Sequence, residues 1–571
     1  MANGLSSIYI GASGLQSAQN ALNTTANNLA NVNTEGYVRQ QVVFSDEKYN
    51  VLKDPTSRVN LQQSGFGVSI GDVVHARDIF LDKAYRLETG RTAFYETCYE
   101  TTIYVEELLQ ELDGEEFKAS VEDLWKSFQE LAKTPADSVT QNLVLQKSEL
   151  LLSRAQTLYD DLKAYQMNIN AQIQEDVARV NEIGQKIYEL NTQIQRVESN
   201  KVETAMTLRD ERDRLIDELS SYANISISED TSGFVYITME GVDFVYEAGY
   251  YALELKSDNL TGFSTPYWAH LSDPNKKLYV EVFDLDRTIS SEMNTDVGAI
   301  KAKMLMRGND FGVYSDLLTP ESYKGVQDEV VMETESQIDL LIHEIVTAVN
   351  DAMCPNMDYT VQNDVYDENG NLLFAAGSTI QILDEASCAR GSDGALPPQE
   401  IYIRQGKERY TTREIDGKTV YVFNPENPKD SNSLYRLGNL EVNDNLKKVV
   451  TLFPAFSEDK SVNFKMAERL VNIWEEQGMH INPEDQYPCT FQDFYDKMIS
   501  KLGTDGNVYK SSTDTLYATT ASLENSRQQI MGVSSDEELA KLIKYQSAYN
   551  ASSRYMTVIS QMTELIVTGL V

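Results

Sequence analysis

His343 and Glu344, side by side, are the most reactive-looking pair in this sequence. On a helix, a second histidine four residues after the first would clamp a zinc ion, with the glutamate as general base. Position 347 is a threonine, so the zinc site fails and His343 is expected to be a satisfied, partly exposed side chain. Asp367-Glu368-Asn369-Gly370 has the look of a calcium loop. With Gly370 as the loop glycine, the first and last ligand positions fall on Val365 and Ala376, and neither can ligate. A hairpin turn around Asn369-Gly370 is expected instead. Glu106, Glu107, Glu111, Asp113, Glu115 and Glu116 cluster as a solvated helix end would. No Walker loop, GxSxG or helix-opening GxGxxG is present, and Gly65-Phe66-Gly67 is too short to cradle phosphate. The four cysteines, Cys98, Cys354, Cys388 and Cys489, lie far apart. They make no CxxC and are too sparse for a disulfide framework, which suggests a reducing compartment or a route avoiding oxidative folding. The expectation is a protein that is not an enzyme and holds no metal or cofactor.

Composition narrows the partners. The chain has 571 residues, 41% hydrophobic and 24% charged, enough for about three to five domains with real cores. Lys and Arg number 49 against 88 Asp and Glu, a net charge of −39. That balance argues against nucleic acid and against an anionic membrane surface. No apolar run approaches the roughly 18 residues of a membrane span. The opening MANGLSSIYIGASGL lacks the basic and apolar regions of a general secretory signal, so none is expected.

Both ends differ from the middle. From Ala2 to Thr34 there is no charged residue; at the chain's average charge density such a gap has a chance of about 1 in 10,000. Leu5, Ile8, Ala12, Leu15, Gln19, Leu22, Ala26 and Leu29 step by three and four through it, a heptad seam. The opposite face is polar but neutral, including Ser13, Gln16, Asn20, Asn23 and Asn27. A helix on an ordinary core carries Lys and Glu on its wet face; a helix enclosed on all sides must avoid unpaired charge. At the other end Leu542, Tyr545, Tyr549, Ser552, Met556, Ile559, Thr563, Ile566 and Leu570 step the same way, and after Arg554 the one charge is Glu564. Two such helices can pair with each other or with those of neighbouring copies, and packing rather than propensity would stabilise them.

A longer seam runs through Leu152, Ala155, Tyr159, Leu162, Gln166, Ile169, Ile173, Asp176, Val180, Ile183, Ile187, Leu190, Ile194 and Val197, a helix of roughly 70 Å. Further helical patterns cover Asp78 to Leu112, Val121 to Ala132, Glu203 to Ser221 and Glu333 to Asn350, with a short run from Val462 to Gln477. Between them the period drops to two, as hairpins require, from Asn224 to Lys256 and from Asp358 to Phe453. The fold class expected is mainly α with β-rich insertions: extended and multi-domain, with terminal helices paired as a coiled coil, a long helical-bundle trunk and two outer β domains. The expected boundaries are 1–75 with 536–571 for the terminal unit, then 76–223, 327–355 and 490–535 for a discontinuous trunk. The β-rich units are expected at 224–326 and 356–489.

The ends also carry specific residues. Ser13-Gly14-Leu15, Ala18-x-x-Ala21-Leu22 and the run from Asn27 to Gln40, NNLANVNTEGYVRQ, resemble the N-terminal motif of flagellar rod, hook and hook-associated proteins. Gly65-Phe66-Gly67-Val68, Arg77-Asp78-Ile79-Phe80-Leu81 and the block Leu208 to Asp217, LRDERDRLID, are similar to segments of the hook-associated protein 1 family. So are Gly532 to Leu539 and Tyr545 to Arg554. The likeness covers about 1–225 and 490–571 well, 333–352 moderately and the β insertions hardly at all.

The resemblance implies a structural adaptor joining hook to filament in the bacterial flagellum, secreted unfolded through the flagellar type III export apparatus. It implies termini that fold together in the innermost wall of a tube, with copies of itself as lateral neighbours. Hook protein would lie below, a second hook-associated junction protein above, and an export chaperone would serve it. Its alternatives are another axial subunit of hook or rod, or a junction protein whose outer β domains add adhesion. A neutral polar lining would not hold a charged chain passing through the tube. The assembly interface would be Leu5, Ile8, Leu15, Leu22, Asn27, Asn28, Leu29, Asn31, Asn33, Thr34, Gly36, Tyr37 and Arg39. At the other end it would be Leu542, Tyr545, Gln546, Tyr549, Met556, Ile559 and Ile566. Asn31 to Arg39 would leave the first helix as a loop, with Gly36 in a turn conformation costly for other residues.

Overall fold

The computed structural model describes residues 2–34, 36–46, 50–53, 61–64, 67–110, 116–199, 204–367 and 370–569. The chain is 56% helical, so the mainly α class holds. The helices are α1 (Ala2–Ala30), α2 (Ile79–Gln110), α3 (Glu116–Lys133), α4 (Ser138–Glu198), α5 (Met206–Tyr222) and α6 (Ala299–Arg307). They continue with α7 (Pro320–Tyr323), α8 (Val330–Met353), α9 (Asp444–Lys448), α10 (Phe464–Asn472), α11 (Phe491–Met531) and α12 (Ser535–Gly569).

The spine is α4, whose 61 residues reach about 90 Å at 1.5 Å per residue. It begins 14 residues before the seam predicted: Asp137 caps it by accepting from Val139 N, and Val144, Leu145 and Leu151 extend the buried row. The seam itself buries from Leu152 to Ile194, except that Asp176 is half-buried beside Lys303 at 2.7 Å and Val197 is exposed. Its buried amides answer backbone groups of the segments packed on it. Gln166 Nε2 donates to Arg307 O at 2.7 Å, and Asn191 Nδ2 to Val235 O at 2.8 Å. Such pairing is what allows amides inside a core. Around α4 pack α3, α5, α6 and α8, while α2 runs along α11.

Strands form several small antiparallel sheets. A ribbon of β1 (Gln40–Asp46) and β4 (Val68–His75) encloses the hairpin β2 (Asn50–Lys53) with β3 (Leu61–Ser64). In the first β-rich segment β5 (Ile225–Glu229), β6 (Val235–Met239), β7 (Val242–Tyr246) and β8 (Gly249–Tyr250) make one sheet in that order. Beside them β9 (Leu253–Ser257) pairs with β10 (Ser264–Trp268). The second segment holds β11 (Asn356–Thr360), β12 (Val365–Tyr366), β13 (Leu372–Phe374), β14 (Thr379–Leu383), β15 (Tyr402–Arg404), β16 (Tyr410–Ile415), β17 (Lys418–Phe423) and β18 (Leu440–Val442). Its main sheet is ordered β11-β14-β17-β16.

Four helices fall inside segments expected to be β-rich; α7 and α9 are only four and five residues long, and the longer two are α6 and α10. The first, α6, is nine residues long and interrupted by Lys301 and Lys303, too short and too charged to show a seam. It packs against α2, α4 and α8. The second, α10, lies within the run from Val462 to Gln477 and packs on α3 and α8. Just beyond it, Trp474 meets Phe128 at 5.4 Å and Phe491 at 5.3 Å.

His343 is satisfied, as expected, but it is largely buried. Nε2 lies 2.9 Å from Glu426, Nδ1 3.3 Å from Glu344, and the ring stacks on Tyr314. Burial works to lower its pKa, yet the two carboxylates push it up to about 9. In the turn after β12, Gly370 adopts φ 81° and donates to Asp367 O at 3.0 Å; residues 368–369 lie outside the described residues. Much of the acidic cluster, 111–115, and the pair 65–66 also lie outside them. The four cysteines are buried free thiols.

Candidate functional site

The two ends of the chain meet. α1 and α12 pack along each other, antiparallel: Gly11 faces Met556, Gly14 faces Ser552, and Asn28 faces Glu538. The face of α1 turned inward steps through Gly11, Ala18, Ala21, Thr25 and Asn28, one position off the leucine row read from the sequence. Small residues take the closest approach: a Cβ at Gly11 would lie 2.6 Å from Met556 Sδ. The leucine row flanks that contact. Ile8, Leu15, Leu22 and Leu29 are half-buried, and Ala12, Gln19 and Ala26 are exposed. The side chain of Leu5 lies outside the described residues. The ribbon covers α1 from another side, with Ser17 Oγ donating to Val68 O at 3.0 Å.

In α12 the predicted seam is half-buried at Leu542, Tyr545, Tyr549, Ser552, Met556 and Ile559, whereas Thr563 is exposed and Leu570 lies outside the described residues. Tyr545 also meets Phe44 of the ribbon, ring centres 6.0 Å apart. Gln546 and Ile566 point to solvent. So do Val558, Met562 and Leu565, which leaves an apolar outer face on α12, while Val567 lies on the inner side, by Ile8 and Met556. A surface of that kind normally marks a contact with another protein.

Asn28 sits at the centre of the elbow after α1 and is 1% exposed. Its Nδ2 donates to Gln40 O at 2.9 Å and to Glu538 Oε2 at 3.0 Å. Its Oδ1 accepts from Tyr37 OH at 2.8 Å and from Gln40 N at 3.0 Å. All four hydrogen bonds of the amide are therefore made. Asn27 Nδ2 reaches Tyr37 OH at 3.4 Å, Asn31 Nδ2 donates back to Asn27 O, and Thr34 Oγ1 donates to Asn31 Oδ1 at 3.1 Å. Asn33 is exposed. Gly36 adopts φ 77°, the left-handed region that glycine enters without a Cβ penalty. Arg39 N donates to Met531 O at 2.8 Å, and its guanidinium pairs with Glu537 at 3.2 Å.

The elbow is tied to the trunk by residues that the seams did not single out. Val38, 2% exposed, donates its N–H to Asp210 Oδ2 at 3.4 Å, and His75 Nε2 lies 3.3 Å from Asp210 Oδ1. Burial pushes Asp210 up to about 7 and, with Arg77, pulls His75 down to about 4. Burial, with Asp210 and Glu538 adding, raises Tyr37 to about 12. Beneath them, Arg527 of α11 reaches Asp82 of α2 at 2.8 Å and Asp217 of α5 at 2.7 Å. Residue spacing gave no sign of these pairs, which join positions 172 apart at Val38–Asp210 and 445 apart at Arg527–Asp82.

Among the described residues no group of three or more His, Cys, Asp or Glu is placed to hold a metal ion. Nor is any described helix long and apolar enough to cross a membrane. The arrangement suits protein–protein packing.

Three family models match parts of the chain. One described as the flagellar hook-associated protein FlgK helical domain matches residues 103–366. The flagella basal body rod protein model matches 8–37, and the C-terminal model of flagellar basal body rod FlgEFG proteins matches 526–568. Flagellar hook-associated protein 1 of Bacillus subtilis is 25% identical over 567 residues, covering 97% of this chain and 96% of that one. The proteins of the same name in Salmonella typhimurium and Escherichia coli are each 22% identical, covering 95% and 97% of this chain and 96% and 98% of theirs. A solved structure of the flagellar hook junction protein FlgK from Burkholderia pseudomallei overlaps with a TM-score of 0.47 at 11% identity, covering 78% of this chain and 99% of that one.

Proposed function

Because this chain belongs to the family of flagellar hook-associated protein 1, we propose that it is the structural adaptor between hook and filament. It acts by packing, without an enzymatic step. The observation that carries this is the terminal pair: α1 and α12 close on each other, yet α12 keeps Val558, Met562 and Leu565 on its outer side. Neighbouring copies cover that face in a layer of the flagellum outside the cell. Hook protein lies below that layer, and a second hook-associated junction protein lies above it.

The same features bear on delivery. Two helices that bury one face between them gain little on their own. The ends therefore stay loosely docked in a lone chain and become ordered on assembly. The chain travels unfolded through the flagellar type III channel, accompanied beforehand by an export chaperone. Residues 1–75 with 536–571 form the terminal coiled-coil unit. The helices of 76–223, 327–355 and 490–535 form the trunk, and 224–326 and 356–489 face outward.

Deleting the gene tests the proposal. Cells should keep their hooks, lose attached filaments and release filament protein into the medium, as electron microscopy would show. Complementation with Leu22→Asp, which places a charge on the flank of the α1–α12 contact, should restore export but not attachment. Firmly attached filaments in the deletion strain would refute the proposal.

A further inference from the structure

A cavity of about 660 Å³ opens between the first turns of α2, one face of α5 and the edge strand β5. That is the size range of small-ligand sites. Arg77, Lys83, Arg86, Arg209 and Arg212 line it, against three carboxylates, in a chain whose net charge is −39. The carboxylates are shared. Asp213 serves both Arg77 and, at 3.7 Å, Arg86. Glu229 lies 2.6 Å from Arg209 and 3.7 Å from Arg212.

Outside the lining, Asp217 takes Arg86 Nε at 2.5 Å and Glu198 takes Arg209 at 2.7 Å, yet some guanidinium donors are left over. The buried Nη2 of Arg86 and Nε of Arg212 make no hydrogen bond among the described residues, and Arg77 Nε has only the Asp82 carboxylate, at 3.2 Å. Arg212 is 1% exposed; burial, with repulsion from Arg209 and Arg77, pulls it down to about 10. Buried donors without acceptors are rare enough in folded proteins to require a cause. The facing wall, with Ile225, Ile227 and Val235, is apolar, so a charge brought here interacts more strongly than it would in water.

We propose that this pocket binds a small oxyanion of the carboxylate or phosphate kind, gripped by Arg77, Arg86 and Arg212 with Lys83 at the rim. Planar guanidinium forks match both groups. A bound oxyanion would link α2 to α5 directly beneath His75 and Asp210, and so stiffen the seat of the elbow. The proposal is independent of the flagellar role.

Thermal unfolding and calorimetric titration of the full-length chain test it, with phosphate, sulfate and malonate each compared with chloride at equal ionic strength. The expected result is saturable binding at one site that raises the midpoint by several degrees. Lys83→Gln, at an exposed position, should weaken it about tenfold without moving the ligand-free midpoint. Arg77→Lys, which keeps the charge but loses the fork, should weaken it as well. A response to malonate alone or to phosphate and sulfate alone fits the site and identifies which group it prefers. No shift beyond chloride, or unchanged binding in both variants, would overturn the proposal.

Discussion

Asn28 joins three parts of the chain: the end of α1, the backbone at Gln40 and the first turn of α12. Replacing it with alanine would leave the Glu538 carboxylate and the Gln40 N–H buried without their partner, at a cost of about 2–4 kcal/mol. In the purified chain, where the outer ends of α1 and α12 are loosely docked but the elbow is tied to the trunk, protease cleavage within the elbow, 28–40, should then be at least about tenfold faster than in the wild type. An unchanged rate would mean the amide does not hold the elbow. Asn28 was singled out in the sequence by the motif from Asn27 to Gln40 that resembles rod, hook and hook-associated proteins. Glu538 as its partner was not, since residue spacing carries no information about contacts 510 positions apart.

At the scale of elements, periodicity read the helices well and their faces less well. The row in α4 buries where its three-and-four stepping says it should. The row in α1 is rotated, because closeness of approach, set by Gly11, Ala18 and Ala21, governs which side meets α12, while the bulky leucines fill the flanks. The short α6 and the strand β1 showed no pattern long enough to register. The outer face of α12 yields a prediction of its own. Val558 is 51% exposed, so Val558→Asp should change the stability of the lone chain by less than about 0.5 kcal/mol. It should nonetheless abolish filament attachment in cells. A strain carrying it that swims normally would show that this face meets no neighbour.

The molecule as a whole should be more stable in mild acid than in mild base. Burial pushes Glu329 up to about 8, Glu400 to about 7 and Asp339 to about 6, and holds Glu335 well above the usual carboxyl range. A carboxyl whose folded pKa exceeds its unfolded value contributes fully below the unfolded pKa, and that contribution is lost as pH rises through the folded one. His343, raised to about 9, has the same sign, its share being lost between about 6.5 and 9. The His75–Asp210 pair adds little. Folded, it takes up protons near 7 and 4; unfolded, the same two groups do so near 6.5 and 3.9. Calorimetry should therefore show the midpoint falling between pH 5.5 and 8.5, with Glu329→Gln flattening the slope. A midpoint that rises over that interval would contradict the burial of these acids.

The central claim is that α12 completes its burial against copies of itself. Amide hydrogen exchange over residues 535–569, compared between the purified chain and isolated hook–filament junctions, tests it directly. Exchange at least about a hundredfold slower in the junctions is predicted; equally slow exchange in the lone chain would contradict the account.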